Sequence, residues 1–156
     1  MKVLAIDPGY DRLGIAVLEK GVSGEILHYS SCFETDKKAN LADRLLALGR
    51  HIEELIITHS PTSVAIETLF FNKNITTAIG VAQARGVIMF LARKHNCTVY
   101  EFGPSEIKVA TTGYGKSDKA AVIQMVKRLV KGAPESALDD EYDAIAVGVT
   151  CLAHHA

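Results

Sequence analysis

The sequence lacks several features that would assign it to a specialised class of protein. It has no tryptophan, only 4 prolines, and no stretch with the composition of a linker or a low-complexity segment. Its formal net charge of −1 neither favours nor excludes a nucleic-acid partner, because such a partner depends on how positive charge is clustered. With 156 residues, 48% of them hydrophobic, the chain is expected to form one domain, residues 1–156, around a full core.

Signals for secretion or membrane insertion are also scarce. The apolar run after Lys2 ends after about five residues at Asp7, which is too short and too acidic for a signal peptide. No apolar stretch approaches the roughly 18 residues that a membrane span requires. The 3 cysteines, Cys32, Cys97 and Cys151, are an odd number without CxxC spacing, which favours buried thiols in a reducing compartment. We therefore expect a cytoplasmic protein without a membrane partner.

The order of apolar patterns predicts the fold class. Runs at 3–7, 13–18 and 26–33 are separated by turn residues, as in antiparallel hairpins. Helical spacing then extends from Leu41 to Leu55, and a strand at 63–67, a helix at 75–94 and a strand at 98–102 follow. Two further helices are predicted, one with Ser117 or Asp118 as its N-cap and one over about 139–153. The sequence thus predicts an α/β fold, a mixed five-stranded sheet with helices on both faces.

Four acidic residues stand where predicted elements begin or end. Asp7 ends the first strand before Pro8-Gly9, Glu67 ends a later buried strand, and Asp140 and Asp143 share one face of the last helix in its first turn. A carboxylate at the carboxyl end of a strand lies at the mouth of an α/β sheet, where ligands bind. Each acid also has a purely structural explanation, since Asp-Pro-Gly forms turns and acids stabilise helix N-termini. They form one cluster only if the two strands are neighbours and the helix packs over them.

Such a cluster would repel itself unless divalent cations neutralised it. Carboxylate oxygens suit Mg²⁺, for which Mn²⁺ is expected to substitute, better than zinc, and no Cys/His cluster has ligand spacing. Two such ions about 4 Å apart can activate a water and stabilise the leaving oxygen of a phosphodiester. The acids therefore predict metal-ion phosphoryl chemistry.

Positive and aromatic residues near these acids are candidates for DNA contact. Lys108, Lys116 and Lys119 flank a glycine-containing loop in a segment with few acids, as phosphate contacts require. Lys127, Arg128 and Lys131 continue the segment but fit an ordinary solvated helix face. Phe70 and Phe71 follow Glu67 closely, and an exposed one of the two would stack on an unpaired base. Arg85 lies on a helix otherwise rich in small residues, where either the sheet or the helix of a second copy can approach closely.

Other classes of protein fit parts of the sequence. The segment 110–117 ends like a P-loop, although Ala110 replaces its first glycine and the residues before it make a poor buried strand. A sugar-kinase or actin-like module also begins with an acid followed by glycine, but it needs a second lobe that this length does not provide.

Several motifs stand in order along the sequence. The first is Ile6-Asp7-Pro8-Gly9, and the last is Asp140-x-x-Asp143-Ala144-Ile145-Ala146-Val147. Between them lie Ala65-Ile66-Glu67 with Phe70-Phe71-Asn72-Lys73-Asn74, then Gln83-Ala84-Arg85-Gly86, Tyr100 to Pro104, Ile107-Lys108 and Gly113-Tyr114-Gly115. In this order and at compatible spacing, over about residues 2–152, these motifs resemble the RuvC Holliday-junction resolvases of the RNase H-like nuclease superfamily.

The resemblance implies specific roles for these positions. Asp7, Glu67, Asp140 and Asp143 would bind two Mg²⁺ ions. Phe70 would wedge or stack at the opened crossover of a four-way DNA junction. We predict that Lys73, Arg85, Lys108, Lys116 and Lys119 contact DNA. Lys119 is also predicted to be catalytic.

The resemblance also implies an assembly and a product. A homodimer would place two sites on paired strands, the ends would be 5′-phosphate and 3′-hydroxyl, and a branch-migration helicase complex is an expected partner. The sequence departs from the family pattern at Tyr10-Asp11-Arg12-Leu13, at Thr68 and at Glu141-Tyr142, which bears on junction contacts and sequence preference. Two alternatives remain beside this family: a junction-binding protein with an inactive nuclease fold, and a nuclease of the same fold acting on RNA or simple duplex.

Overall fold

Strands fill the first third of the chain, and helices alternate with short strands after it. A computed structural model describes residues 1–9, 11–68 and 75–156. The strands in these ranges are β1 (Lys2–Asp7), β2 (Arg12–Gly21), β3 (Gly24–Glu34), β4 (Ser63–Glu67), β5 (Thr98–Phe102) and β6 (Val130–Lys131). The helices are α1 (Leu41–His59), α2 (Ile75–Lys94), α3 (Pro104–Thr112), α4 (Lys119–Leu129) and α5 (Asp139–His155).

The strands form a mixed sheet in the order β5-β4-β1-β2-β3-β6. The first three are antiparallel neighbours, whereas β4 is parallel to β1, β5 to β4 and β6 to β3. The predicted mixed α/β sheet with helices on both faces is confirmed. The predicted number of five strands is wrong, because the two-residue β6 pairs with Glu25 and Ile26 of β3. A strand of two residues is too short for its sequence to alternate visibly.

Alternating side chains of the sheet divide the core into two layers. Val3 and Ala5 of β1 pack with α5, whereas Leu4 and Ile6 pack with α1 and α2. All four are fully buried, which explains why β1 is continuously apolar. The sheet is therefore covered by α3, α4 and α5 on one face and by α1 and α2 on the other.

Helix α5 lies unusually close to the sheet. A Cβ added at Gly148 would overlap the side chain of Leu18 and lie 3.2 Å from the Cβ of Ala5. Ala16 and Ala65 also belong to this layer, so small side chains leave room for the helix backbone. This close approach fixes the height of α5 above the strand ends.

The helices agree with the sequence predictions except for α3. The range 75–94 is confirmed for α2, and the side chain of Asp118 accepts a hydrogen bond from the N–H of Ala121 as the N-cap of α4. Residues 104–112, which were not predicted as a helix, form α3 after Gly103, with proline at its first turn. A P-loop needs a strand at this position, so that alternative is excluded.

Helix α2 corrects the expectation about apolar stretches. By length and composition it is apolar enough to cross a membrane, although such a test is also passed by helices of other kinds. Gly80, Ala84 and Ile88 are buried against the core, while Ile79 and Phe90 are more than half exposed. The helix is therefore apolar on more than its buried face, which indicates a second contact surface.

Candidate active site

The sheet register brings Asp7 and Glu67 together. Ile6 is paired with Ile66 across the parallel strands β1 and β4, so the acid that follows each isoleucine lies at the same edge of the sheet. The carboxyl group of Asp7 donates a hydrogen bond to that of Glu67. Two of the four predicted site residues are thus direct neighbours.

The first turn of α5 brings Asp140 and Asp143 to the same edge. Gly14, the β2 partner of Asp7, makes this possible, because a Cβ there would overlap the backbone carbonyl oxygen of Asp140. The hydroxyl of Ser30 on β3 also donates to Glu141 Oε1 at 2.5 Å. Glu141, which departs from the family pattern, thereby ties the helix N-terminus to the sheet.

The pKa values of the carboxyl groups show how unfavourable their charges are together. The pKa of Asp7 is raised to about 8 by burial first, then by the charge of Glu67, the hydrogen bond to Glu67 and the charges of Asp143 and Asp140, in that order. Burial also raises the pKa of Glu67 and that of Asp143. Without a bound cation, the cluster therefore shares a proton near neutral pH.

Two basic side chains offset part of the negative charge. Lys119, the first residue of α4, places Nζ 2.6 Å from Asp143 Oδ2. Burial lowers the pKa of Lys119, but the hydrogen bond and charge of Asp143 outweigh this and raise it overall. On the other side, Arg12 places Nε 2.5 Å from Asp140 Oδ2. Asp140 and Asp143 therefore each pair with a basic side chain of their own.

A cavity opens beside Glu67 and Asp143. Its volume is about 180 Å³, and it is lined by Glu67, Pro104, Ile107, Lys108, Lys119, Val122, Asp143 and Ala146. Lys108 from α3 and Lys119 from α4 supply positive charge to its walls. An anionic group that entered it would meet lysine ammonium groups next to carboxylates, which is the arrangement that a phosphodiester bridged to cations requires.

The carboxylates fit hard divalent cations in their chemistry. All four donors are oxygen, and the proton retained at Asp7 marks excess negative charge that a cation would relieve. Among the described residues, no group of three or more aspartate, glutamate, histidine or cysteine side chains has the geometry to hold a metal ion. Arg12 and Lys119 occupy two of the four acids, and both would have to move for a metal to bind there.

The remaining predicted DNA contacts are dispersed. Lys116 is exposed in the segment between α3 and α4 and does not line the cavity. Arg85 forms an ion pair with Glu101 of β5, and its buried Nε has no hydrogen-bond partner in the described part of the chain. Phe70 and Lys73 lie outside the described residues.

Arg12 and Ser30 contribute to the site but were not predicted from the sequence. In the sequence, Arg12 belongs to the loop that departs from the family pattern, and nothing distinguishes Ser30. The signal available for Arg12 was a basic residue shortly after the Asp7-Pro8-Gly9 turn. Nothing in the sequence indicated that this side chain faces Asp140.

The site and the sheet together define a class of fold. A three-stranded antiparallel meander is extended by two parallel strands, acids stand at the carboxyl ends of β1 and β4, and a helix carrying two more acids closes over them. This is the RNase H-like fold.

Within that class the chain matches one family. The family described as crossover junction endodeoxyribonuclease RuvC matches residues 3–151. RuvC of Petrotoga mobilis is 42% identical over 147 residues, covering 94% of this chain and 90% of the relative. RuvC of Thermosipho melanesiensis is 43% identical over 154 residues, covering 98% and 97% respectively. The chain belongs to the RuvC family.

A solved structure agrees with this membership. Thermus thermophilus RuvC in complex with Holliday junction substrate superposes with a TM-score of 0.91 and 27% sequence identity. The superposition covers 97% of this chain and 93% of that one. The fold match therefore extends over nearly the whole length of both proteins.

Proposed function

We propose that this protein is a dimeric, Mg²⁺-dependent endonuclease that resolves four-way DNA junctions during homologous recombination and repair. It cuts two strands of like polarity and leaves 5′-phosphate and 3′-hydroxyl ends. Membership of the RuvC family over residues 3–151 carries this proposal. The convergence of Asp7, Glu67, Asp140 and Asp143 at one sheet edge supports it. A branch-migration helicase complex as partner and a cytoplasmic location belong to the same proposal.

The acids and Lys119 have separate roles in the proposed reaction. Two Mg²⁺ ions held by Asp7, Glu67, Asp140 and Asp143 would supply an activated water and stabilise the charge on the leaving 3′ oxygen. Lys119, now bound to Asp143, would turn to the scissile phosphate and stabilise its developing charge. Lys108 on the cavity wall would hold the same strand in position.

The residues beyond the cavity are assigned to the junction arms. Lys116 is exposed close to the cavity in sequence and would contact a backbone phosphate. Phe70 and Lys73 are proposed to reach the opened crossover, on the basis of the family motif alone. Arg85 already pairs with Glu101, so its proposed DNA contact requires exchange of that partner.

An apolar groove between α1 and α2 supports the dimer. It has a volume of about 690 Å³ and is lined by Ala42, Leu45, Leu46, Gly49, Arg50, Glu53, Gln83, Gly86, Val87, Phe90 and Leu91. Leu46 is 51% exposed and Phe90 67% exposed. A Cβ at Gly86 would meet nothing within 4 Å, so a second copy can approach the backbone of α2 there. Arg50 brings a positive charge to the groove, whereas Glu53 already contacts Lys94 Nζ and His95 Nε2, each at 2.7 Å.

Replacing Phe90 by Glu is expected to separate the dimer. Burial of a phenylalanine side chain stabilises by about 1.5–3 kcal/mol, and a two-fold interface buries two, so the dissociation constant should rise about 100-fold or more. Analytical ultracentrifugation measures the change. Ile57→Glu is the matched control, because Ile57 is 65% exposed on α1 but does not line the groove. A Phe90→Glu protein that stays dimeric would place the interface elsewhere.

Cleavage of a labelled immobile four-way junction tests the proposed function. Matched duplex and single strand are tested as separate substrates, each with Mg²⁺ or with EDTA. We expect symmetric paired nicks on the junction, only with Mg²⁺, and products that a ligase seals. Equal cutting of all three substrates would retain a nuclease but reject junction selectivity. Binding without cutting, across many crossover sequences and with Mn²⁺, would support a junction-binding protein instead.

A further inference from the structure

A second recess adjoins the acids at Asp140, as the cavity adjoins them at Glu67 and Asp143. It has a volume of about 400 Å³ and is lined by Gly9, Asp11, Arg12, Glu34, Lys37 and Asp140. None of the DNA contacts predicted from the sequence lies in it. The recess is polar and open, and of its six lining residues two are basic and three are acidic.

The backbone beneath Arg12 is held firmly while its side chain reaches solvent. Asp11 accepts from Nη2 of the buried Arg44 at 3.2 Å, and Arg44 Nε donates to Thr35 Oγ1 at 2.9 Å. Lys37 lies 3.5 Å from the other oxygen of Asp11. The Arg12 side chain is 47% exposed, so its guanidinium can rotate between Asp140 and the recess about a fixed base.

The partner of Arg12 depends on the charge of Asp140. In the described residues Asp140 is the acid with which Arg12 forms an ion pair. A cation on Asp140 would cancel that attraction and repel the guanidinium at short range. Asp11 already contacts Arg44 and Lys37, so Glu34, the cross-strand neighbour of Arg12, is the one acid of the recess left to face the guanidinium. A DNA phosphate that entered the recess would add a second anion there, and the guanidinium fork can bind its oxygens in pairs.

We propose that Arg12 exchanges partners, from Asp140 in the metal-free protein to a DNA backbone phosphate in the recess once metal neutralises Asp140. Metal and DNA then strengthen each other's binding. Metal takes Asp140 away from Arg12 and frees the guanidinium for a phosphate, and a phosphate takes Arg12 away from Asp140 and frees the carboxylate for metal. This inference rests on the proposed function, because it takes Asp140 as a metal ligand and DNA as the substrate. It adds a second phosphate site and makes Arg12 the residue that couples the two ligands.

Calorimetric titration with Ca²⁺ alone tests the first half of the exchange. Arg12→Gln should bind Ca²⁺ about three- to tenfold more tightly than wild type, because a competing cation has gone from Asp140. Arg128→Gln, at the opposite end of α4 from Lys119 and exposed, is the matched loss of one arginine and should bind Ca²⁺ as wild type does. Weaker or unchanged Ca²⁺ binding by Arg12→Gln would overturn the exchange.

Junction binding measured by fluorescence anisotropy tests the second half. In Ca²⁺, Arg12→Gln should bind a labelled four-way junction about tenfold more weakly, and the salt dependence of its affinity should fall by about one phosphate contact. In EDTA its affinity should stay within about threefold of wild type, because Arg12 is then held by Asp140. Arg12→Lys should recover part of the Ca²⁺-dependent affinity.

The failure of this inference differs from that of the proposed function. Equal weakening of junction binding in Ca²⁺ and in EDTA would show that Arg12 is an ordinary phosphate contact and overturn the exchange alone. If the wild-type protein neither cleaves the junction nor binds it in preference to duplex, the proposed function itself is rejected. Thermal unfolding of each variant shows that the compared proteins are folded.

Discussion

Junction cleavage is expected to fall about a thousandfold or more when Asp7 is replaced by Asn, while junction binding stays within about threefold. Asp7 interacts electrostatically with all three of the other acids, Glu67, Asp143 and Asp140. Loss of the Asp7 charge would therefore weaken the binding of every cation in the cluster. Binding depends mainly on phosphate contacts from lysine and arginine, which this substitution leaves intact.

Single-turnover cleavage with saturating protein separates the two effects. Asp139→Asn is the matched control, because Asp139 is an exposed acid in the same first turn of α5 and no role is assigned to it. It should cleave within about threefold of wild type, since it contributes only a distant charge. Full cleavage by the Asp7→Asn protein would reject the site.

The Asp7→Asn variant should be more stable than wild type when metal is absent. The folded-state pKa of Asp7, about 8, lies above its ordinary value of 3.8, so the stability of the wild-type protein falls as pH rises from about 4 through about 8. Asn carries no such charge, so its advantage should be near zero at pH 4 and on the order of 2–5 kcal/mol at pH 8. Urea unfolding in EDTA at several pH values measures it. Added Mg²⁺ should stabilise wild type and leave the variant unchanged.

Replacing Gly14 by Ala should impair both the fold and the site. The added Cβ would overlap the carbonyl oxygen of Asp140, stand 2.6 Å from its carbonyl carbon and 3.3 Å from the Cβ of Ala144. Backbone of a packed helix cannot move aside as a flexible side chain can, so α5 must shift and carry Asp140 and Asp143 away from Asp7. We expect a loss of about 2–4 kcal/mol in the free energy of unfolding and of about 100-fold or more in cleavage.

Urea unfolding and cleavage at a temperature where the variant is folded measure these losses separately. Gly103→Ala is the matched control, because a Cβ at that position would meet nothing within 4 Å. It should leave cleavage unchanged. If Gly14→Ala kept wild-type cleavage, the close contact between β2 and α5 would not determine the position of the acids.

Most of the sheet could be predicted because burial decides its pattern. The continuous apolar runs at β1 and β4 belong to strands covered on both faces, and their ends identify Asp7 and Glu67. Helix α3 was missed because only Ile107 and Thr111 are buried in it, so it has little apolar periodicity. Its signals were local instead, with Pro104 in the first turn and Glu106 near the N-cap.

The polar contacts around the acids could not be predicted in the same way. Arg12 and Asp140 are far apart in sequence, as are Ser30 and Glu141. Their meeting depends on how β2 and β3 are placed beneath α5, which no local pattern encodes. Residue types indicated which groups carry the chemistry, whereas the tertiary structure indicated which cations they face.

The thin layer beneath α5 divides the protein into regions with unequal freedom to vary. Ala5, Ala16 and Gly148 are already small and tightly packed. Even one added methyl group would therefore push away the helix that carries two of the acids. The layer beneath α1 and α2 contains mostly larger aliphatic side chains, which can exchange volume among themselves. Over evolutionary time, sequence change should accumulate in that buried layer, while the layer that positions the acids stays nearly fixed.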